Sequence, residues 1–123
     1  MRVLLIDDEQ MVRKIVRKML ERGGHEVTEA ENGRLGLEQL QRGSYDLVLT
    51  DIIMPEMEGV ETVMTVLEQY PALKVIAMSG GGRTGNMDFL ATAEKLGASA
   101  VLNKPFTLAA LAQAIDQAFK KAS

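Results

Sequence analysis

The sequence predicts an α/β domain built on a five-stranded parallel sheet with helices on both faces. Three observations predict it. Short apolar runs alternate five times with stretches whose apolar residues recur at helical spacing. The 123 residues suffice for one domain of ordinary size and leave no room for a second. Strict alternation makes each helix a crossover between parallel strands, and right-handed crossovers cover both faces of the sheet.

Each element has its own signal. Val3-Leu4-Leu5-Ile6 is a continuous apolar run, the pattern of a strand covered on both sides. Met11, Val12, Ile15, Val16, Met19 and Leu20 follow at helical spacing, and Gly23-Gly24 stops that helix. His25 to Ala30 read as the second strand. Leu35, Leu37 and Leu40 mark the second helix, closed by Gly43. Leu47-Val48-Leu49 form the third strand, ending at Thr50-Asp51.

Past Met54-Pro55, Glu58 to Gln69 read as the third helix, with Val60, Val63, Met64 and Leu67 on one face. Pro71 separates it from the fourth strand, Lys74 to Met78. A glycine-rich loop, Ser79 to Asn86, leads to a fourth helix ending near Gly97. Ser99 to Leu102 are the fifth strand, and the last helix carries Leu108, Leu111, Ala112, Ile115 and Phe119 on one face.

Composition removes several classes of function. Hydrophobic residues at 46% and charged residues at 25% are the proportions of a soluble globular protein. The absence of cysteine excludes a disulfide framework, thiolate chemistry and Cys-ligated zinc. Fourteen Lys and Arg against 17 Asp and Glu give a net charge of -3, the wrong sign for a protein working directly on a nucleic-acid backbone. The apolar run in MRVLLIDDEQ is too short for a signal peptide, and no run approaches a membrane span. The expectation is a cytoplasmic protein with no nucleic-acid or membrane partner. The lone His25 lacks companions for a metal site or relay, and the eight methionines, Met54, Met57, Met64 and Met78 among them, read as gap-filling core. The glycine-rich loop is not a P-loop, because no Gly-Lys-Ser/Thr follows it.

In doubly wound sheets ligands sit beyond the carboxyl ends of the strands. Asp7 and Asp8 follow the first strand, Asp51 the third, Ser79 the fourth and Lys104 the fifth. Each has a local alternative: Asp8 as a helix N-cap, Asp51 and Ser79 as turn residues, Lys104 as a solvated loop lysine. Taken together they point elsewhere. Three carboxylates at one edge repel one another and call for protons or a cation. Oxygen-only ligands suit Mg2+ completed by substrate phosphate. A lysine and a hydroxyl beside them suit a phosphoryl group, whose transfer depends on positioning and charge neutralisation, and a carboxylate can itself be the nucleophile.

The ordered set Ile6-Asp7-Asp8-Glu9, Asp51-Ile52-Ile53-Met54-Pro55 with Gly59, Ser79 and Lys104-Pro105-Phe106 resembles the receiver domain of bacterial response regulators. The likeness runs from Val3 to the last helix. It implies a flavodoxin-like sheet of order 2-1-3-4-5 with five helices, and a single receiver domain over residues 1–123 with no output domain. Asp51 would be the phosphoacceptor. Asp7, Asp8, Asp51 and the backbone carbonyl of Ile53 would hold Mg2+. Ser79 would supply the hydroxyl that moves toward the phosphoryl group, Lys104 its ion-pair partner, and the Lys104-Pro105 bond would be cis.

The implied donor is a phosphohistidine on a sensor histidine kinase or histidine phosphotransfer protein. Phosphorylation would then change a surface around the fourth helix, fifth strand and last helix toward a downstream protein partner, with the chain a monomer or a phosphorylation-dependent dimer. The chain would be a switch rather than an enzyme, with only self-phosphorylation and autodephosphorylation of its own.

Departures from the family pattern and rival readings accompany this one; a nucleotide-binding flavodoxin-like protein, the most distant rival, would need a phosphate-cradling loop after the first strand. Val101 stands three residues before Lys104, where the family commonly has Tyr or Phe, so the signal is expected to travel through the backbone. The glycine-rich loop is expected to order on phosphorylation. Arg13, Lys14, Arg17 and Lys18 form either a solvated face or a docking stripe for the donor. A phosphatase of the haloacid-dehalogenase type would need an aspartate two positions after the nucleophile, where this chain has Ile53. A pseudo-receiver that binds partners without taking phosphate is the alternative function.

Overall fold

The computed structural model describes residues 1–52, 58–80, 94–95 and 97–120. Among these residues the elements run β1 (Arg2–Ile6), α1 (Gln10–Arg22), β2 (Glu26–Ala30), α2 (Gly33–Arg42), β3 (Leu47–Asp51), α3 (Glu58–Gln69), β4 (Lys74–Gly80), β5 (Ala100–Lys104) and α4 (Leu108–Phe119). Every strand pair is parallel, as the alternation of elements predicts, and the order is β2-β1-β3-β4-β5, as the resemblance implied. The predicted fourth helix and the loop from residue 81 onward lie outside the described residues, apart from helical Glu94 and Lys95.

Alternate residues of each strand serve opposite faces, and the core divides accordingly. Leu4, Ile6, Val48, Val75 and Ala77 pack with Leu40 of α2 and Val63 and Val66 of α3. Val3, Leu5, Leu47, Leu49, Ile76 and Met78 pack on the other side with Val16 and Leu20 of α1 and Leu111, Ala114 and Ala118 of α4. Because both faces are covered, Val3-Leu4-Leu5-Ile6 of β1 and Leu47-Val48-Leu49 of β3 are apolar without a break, which is why these were the clearest strands to read. On the α2 side the approach is close: a Cβ placed on Gly36 would collide with the Ile6 side chain.

The structure corrects four local readings. β2 begins at Glu26, because the His25 amide instead donates to Leu20 O at the end of α1, and Gly24 turns the chain at φ 87°. β4 and β5 extend to Gly80 and Lys104, so Ser79 and Lys104 belong to the ladder. The face that α4 buries is Leu111, Ala114 and Ala118, while Leu108 and Phe119, its first and last residues, are exposed; small alanines let the helix lie close to the sheet. Met64 is 49% exposed and Met11 70%, so neither fills the core, whereas Met78 is fully buried. Met54 and Met57 lie outside the described residues.

Candidate functional site

The chain leaves β1 toward β2 on one side and returns past it to β3 on the other, so the strand order reverses between β1 and β3. Ile6 pairs with Thr50, which puts the next residues, Asp7 and Asp51, side by side at that crevice. Ser79 follows Met78, the partner of Asp51, and Gly80 pairs with Lys104. Four neighbouring strand ends therefore converge, and the register does the assembling.

Asp7 and Asp51 are buried, at 0% and 2% exposure, so their charges need partners. Lys104 supplies one. Its Nζ donates to Asp7 Oδ2 and Asp51 Oδ2, each at 2.9 Å, and Glu9 Oε1 lies 4.0 Å away. Burial alone would depress the Lys104 pKa; the hydrogen bonds and charges of Asp51 and Asp7 more than offset it and hold the ammonium above its ordinary 10.5. One cation thus serves two buried carboxylates.

Asp7 is held at every polar atom. Its amide donates to Ala30 O at 3.1 Å, its Oδ1 accepts from the Glu9 amide at 2.9 Å, and its carbonyl accepts from Arg13 Nη1 at 2.7 Å. Asp8 is exposed and is not the helix cap: that position is Glu9, which makes no side-chain capping bond. Carboxylate oxygens of Asp7, Asp8, Glu9 and Asp51 all lie within 4.8 Å of one another. Ser79 Oγ is buried without a hydrogen-bond partner among the described residues, an arrangement that costs free energy unless a ligand completes it. Four carboxylates against one ammonium leave a negative excess made of oxygen donors alone, which fits a hard cation such as Mg2+. Ile53 lies outside the described residues.

The structure thus brings together Asp7, Asp8, Asp51, Ser79 and Lys104. Sequence reasoning missed Glu9 as a member of the acidic group, although a third acidic residue directly after Asp7-Asp8 was the available signal. It also took the basic run on α1 as a single set, a solvated face or a docking stripe. In fact Arg13 Nε and Arg17 Nη1 grip the two oxygens of Glu29 on β2, at 3.1 and 2.7 Å, while Lys14 and Lys18 stay exposed. The hydrogen bond from Arg17, against the opposing effect of burial and helped by Arg13, holds Glu29 below the usual carboxylate range. Val101 is half-buried against the α2–α3 side of the core, and Lys104-Pro105 is cis.

A parallel 2-1-3-4-5 sheet with an acidic crevice at its switch point, faced by a lysine and a buried serine, defines a receiver domain. The chain belongs to that family: the response regulator receiver domain matches residues 3–116. It is 37% identical over 117 residues to the response regulator receiver protein CpdR of Brucella abortus, covering 94% of each chain. Among solved structures it resembles a response regulator receiver domain protein from Clostridium thermocellum, with TM-score 0.86, 33% identity and coverage of 95% of this chain and 92% of that one. It also resembles the response regulator TrrA of Thermotoga maritima, solved in complex with Mg2+-BeF, with TM-score 0.82, 27% identity and coverage of 96% and 98%. Receiver domains are signalling switches rather than classical enzymes, generally bind Mg2+, and interact with histidine kinases or phosphotransfer proteins and with downstream effectors. Among the described residues no helix is long and apolar enough to cross a membrane.

Proposed function

We propose that this chain is a cytoplasmic, phosphorylation-controlled switch that takes a phosphoryl group onto Asp51 from a phosphohistidine donor in a Mg2+-dependent reaction. The observation that carries this reading is the Lys104 ammonium shared by two buried carboxylates in an acidic pocket, beside a buried serine hydroxyl with no partner among the described residues. Asp7, Asp8 and Asp51, with the main-chain carbonyl of Ile53, are the groups that would hold Mg2+. The ion supplies charge neutralisation for the phosphoryl oxygens.

A carboxylate oxygen of Asp51 attacks phosphorus, forming a P–O bond as the P–N bond to the donor imidazole breaks. The imidazole nitrogen keeps the bonding electron pair and takes up a proton. Lys104 Nζ, already 2.9 Å from Asp51 Oδ2, is placed to pair with the incoming phosphoryl charge. The Ser79 hydroxyl has its donor unspent and can give it to a phosphoryl oxygen. Slow attack by water on the acyl phosphate resets the switch.

The donor's approach is favoured over α1. Lys14 and Lys18 are exposed there beside Met11 and Ile15, and a groove of about 290 Å³ lined by Val12, Ile15, Met19, Pro105 and Phe106 opens next to Glu9 and Lys104. Ser79 and Lys104 both stand in strands, so displacing either pulls on the β4–β5 backbone rather than on an aromatic ring, consistent with Val101 at the usual aromatic position. A changed surface then meets the downstream partner.

Intact-mass spectrometry after incubation with acetyl phosphate and Mg2+ tests the reading. One added phosphoryl group, lost in Asp51→Asn and in Mg2+-free buffer, is expected. No adduct from acetyl phosphate or from a protein donor would leave the chain an interaction module that takes no phosphate.

A further inference from the structure

The basic residues of α1 separate by partner, and one of them reaches the site. The Arg13 guanidinium, only 14% exposed, spans two acceptors: Glu29 Oε1 at 3.1 Å through Nε, and the Asp7 carbonyl oxygen at 2.7 Å through Nη1. Its planar fork cannot rotate one bond without losing the other. Glu29 is held in turn by Arg17 Nη1 at 2.7 Å, so the fork is anchored from β2 and its free end presses on the turn after β1.

The acceptor decides what this contact does. The Asp7 carbonyl belongs to the peptide group that joins Asp7 to Asp8. That group is planar, so holding its oxygen fixes the direction in which the chain carries Asp8 away from β1. Asp7 has further anchors in Ala30, Glu9 and Lys104. The exposed Asp8 carboxylate has no hydrogen bond or ion pair among the described residues, so the peptide plane is what aims it. Adjacent carboxylates repel one another, and a loose turn would relax by swinging Asp8 outward.

We propose that Arg13 is a positioning residue for the cation site, holding the Asp7–Asp8 peptide so that both carboxylates face one ion. The proposal rests on the Mg2+ reading given above. Arg13 touches neither the ion nor the phosphoryl group; it acts through Asp7 and Asp8. Outer contacts of this kind tune metal affinity, and losing one weakens binding by about tenfold or more.

Mg2+ titrations of the full chain, followed by amide chemical shifts, test it. Arg13→Gln is expected to weaken Mg2+ binding about tenfold. Arg17→Gln takes a cation from the same Glu29 without touching Asp7, and is expected to leave affinity within about twofold of wild type. Melting temperatures of the two variants should fall alike, so stability does not explain the difference. Arg13→Lys keeps the charge but cannot span both acceptors, and should fall between wild type and Arg13→Gln. Wild-type affinity in Arg13→Gln would overturn the proposal, as would equal losses in Arg13→Gln and Arg17→Gln. Absence of Mg2+ binding by the wild-type chain would remove the metal reading itself and the proposal with it. Should Arg13→Gln not fold, Arg13→Lys against Arg17→Lys carries the same decision.

Discussion

Two ionic clusters flank α1, and their charge ratios differ. Around Lys104 one ammonium faces two buried carboxylates, with Asp8 and Glu9 adding to the excess. Around Glu29 two carboxylates, Glu29 and Glu21, face two guanidinium groups, Arg13 and Arg17, on a partly exposed surface. The second cluster is saturated and fastens α1 to β2. The first is short of positive charge and stays so because the strand register forces Asp7 and Asp51 together. Binding chemistry belongs where the charges fail to balance, and the balanced cluster is the brace beside it.

The hardest way to break that contrast is to remove the cation from the deficient side. Lys104→Met removes the cation shared by two buried carboxylates and is expected to cost about 3–5 kcal/mol in urea unfolding at neutral pH. Saturating Mg2+ should recover part of the loss, since a ligand of the folded state stabilises it. Asp51→Asn reverses the sign. It brings Lys104 to parity with Asp7, so in Mg2+-free buffer it should leave stability unchanged or raise it by up to about 1 kcal/mol while abolishing phosphorylation.

The saturated side responds in the ordinary direction. Glu29→Gln should lower stability by about 0.5–1 kcal/mol, the range of a partly exposed ion pair. Acid sharpens the comparison: the Glu29 pKa is depressed in the fold, so its contribution is fully present above the ordinary value of 4.5 and is lost as pH falls through the lower folded value. Lys104, raised in the fold, behaves oppositely; its contribution is present below its ordinary 10.5 and is lost as pH rises through the higher folded value. Wild-type and Glu29→Gln unfolding curves should therefore converge in acid and remain apart at neutral pH. The smallest effect concerns encounter. With Arg13 and Arg17 paired internally, Lys14 and Lys18 are the exposed members of that basic run, so Lys14→Ala/Lys18→Ala should slow transfer from a protein donor by a few-fold at low salt. Transfer from acetyl phosphate should not change.

The strands of this fold were legible because β1 and β3 are covered on both faces, so Val3-Leu4-Leu5-Ile6 and Leu47-Val48-Leu49 read as unbroken apolar runs. The site was legible because the fold class says where to look, and Asp7, Asp51, Ser79 and Lys104 each stand at a strand end. The Arg13 contact was hidden, since its partners come from the β1 turn and from β2, and only their pairing in space brings them to one guanidinium. The face of α4 was hidden for a different reason. Large apolar residues draw the eye, but Ala114 and Ala118 carry the contact with the sheet.

Gly36 carries a lesson for anyone redesigning this chain. It sits inside α2, where alanine is the better helix former by about 1 kcal/mol, and a survey of helix propensities would mark it first for replacement. Yet the space a methyl group needs is already filled by Ile6, the residue next to Asp7. Gly36→Ala should lower the melting temperature rather than raise it, and the disturbance would begin one residue from the acidic crevice.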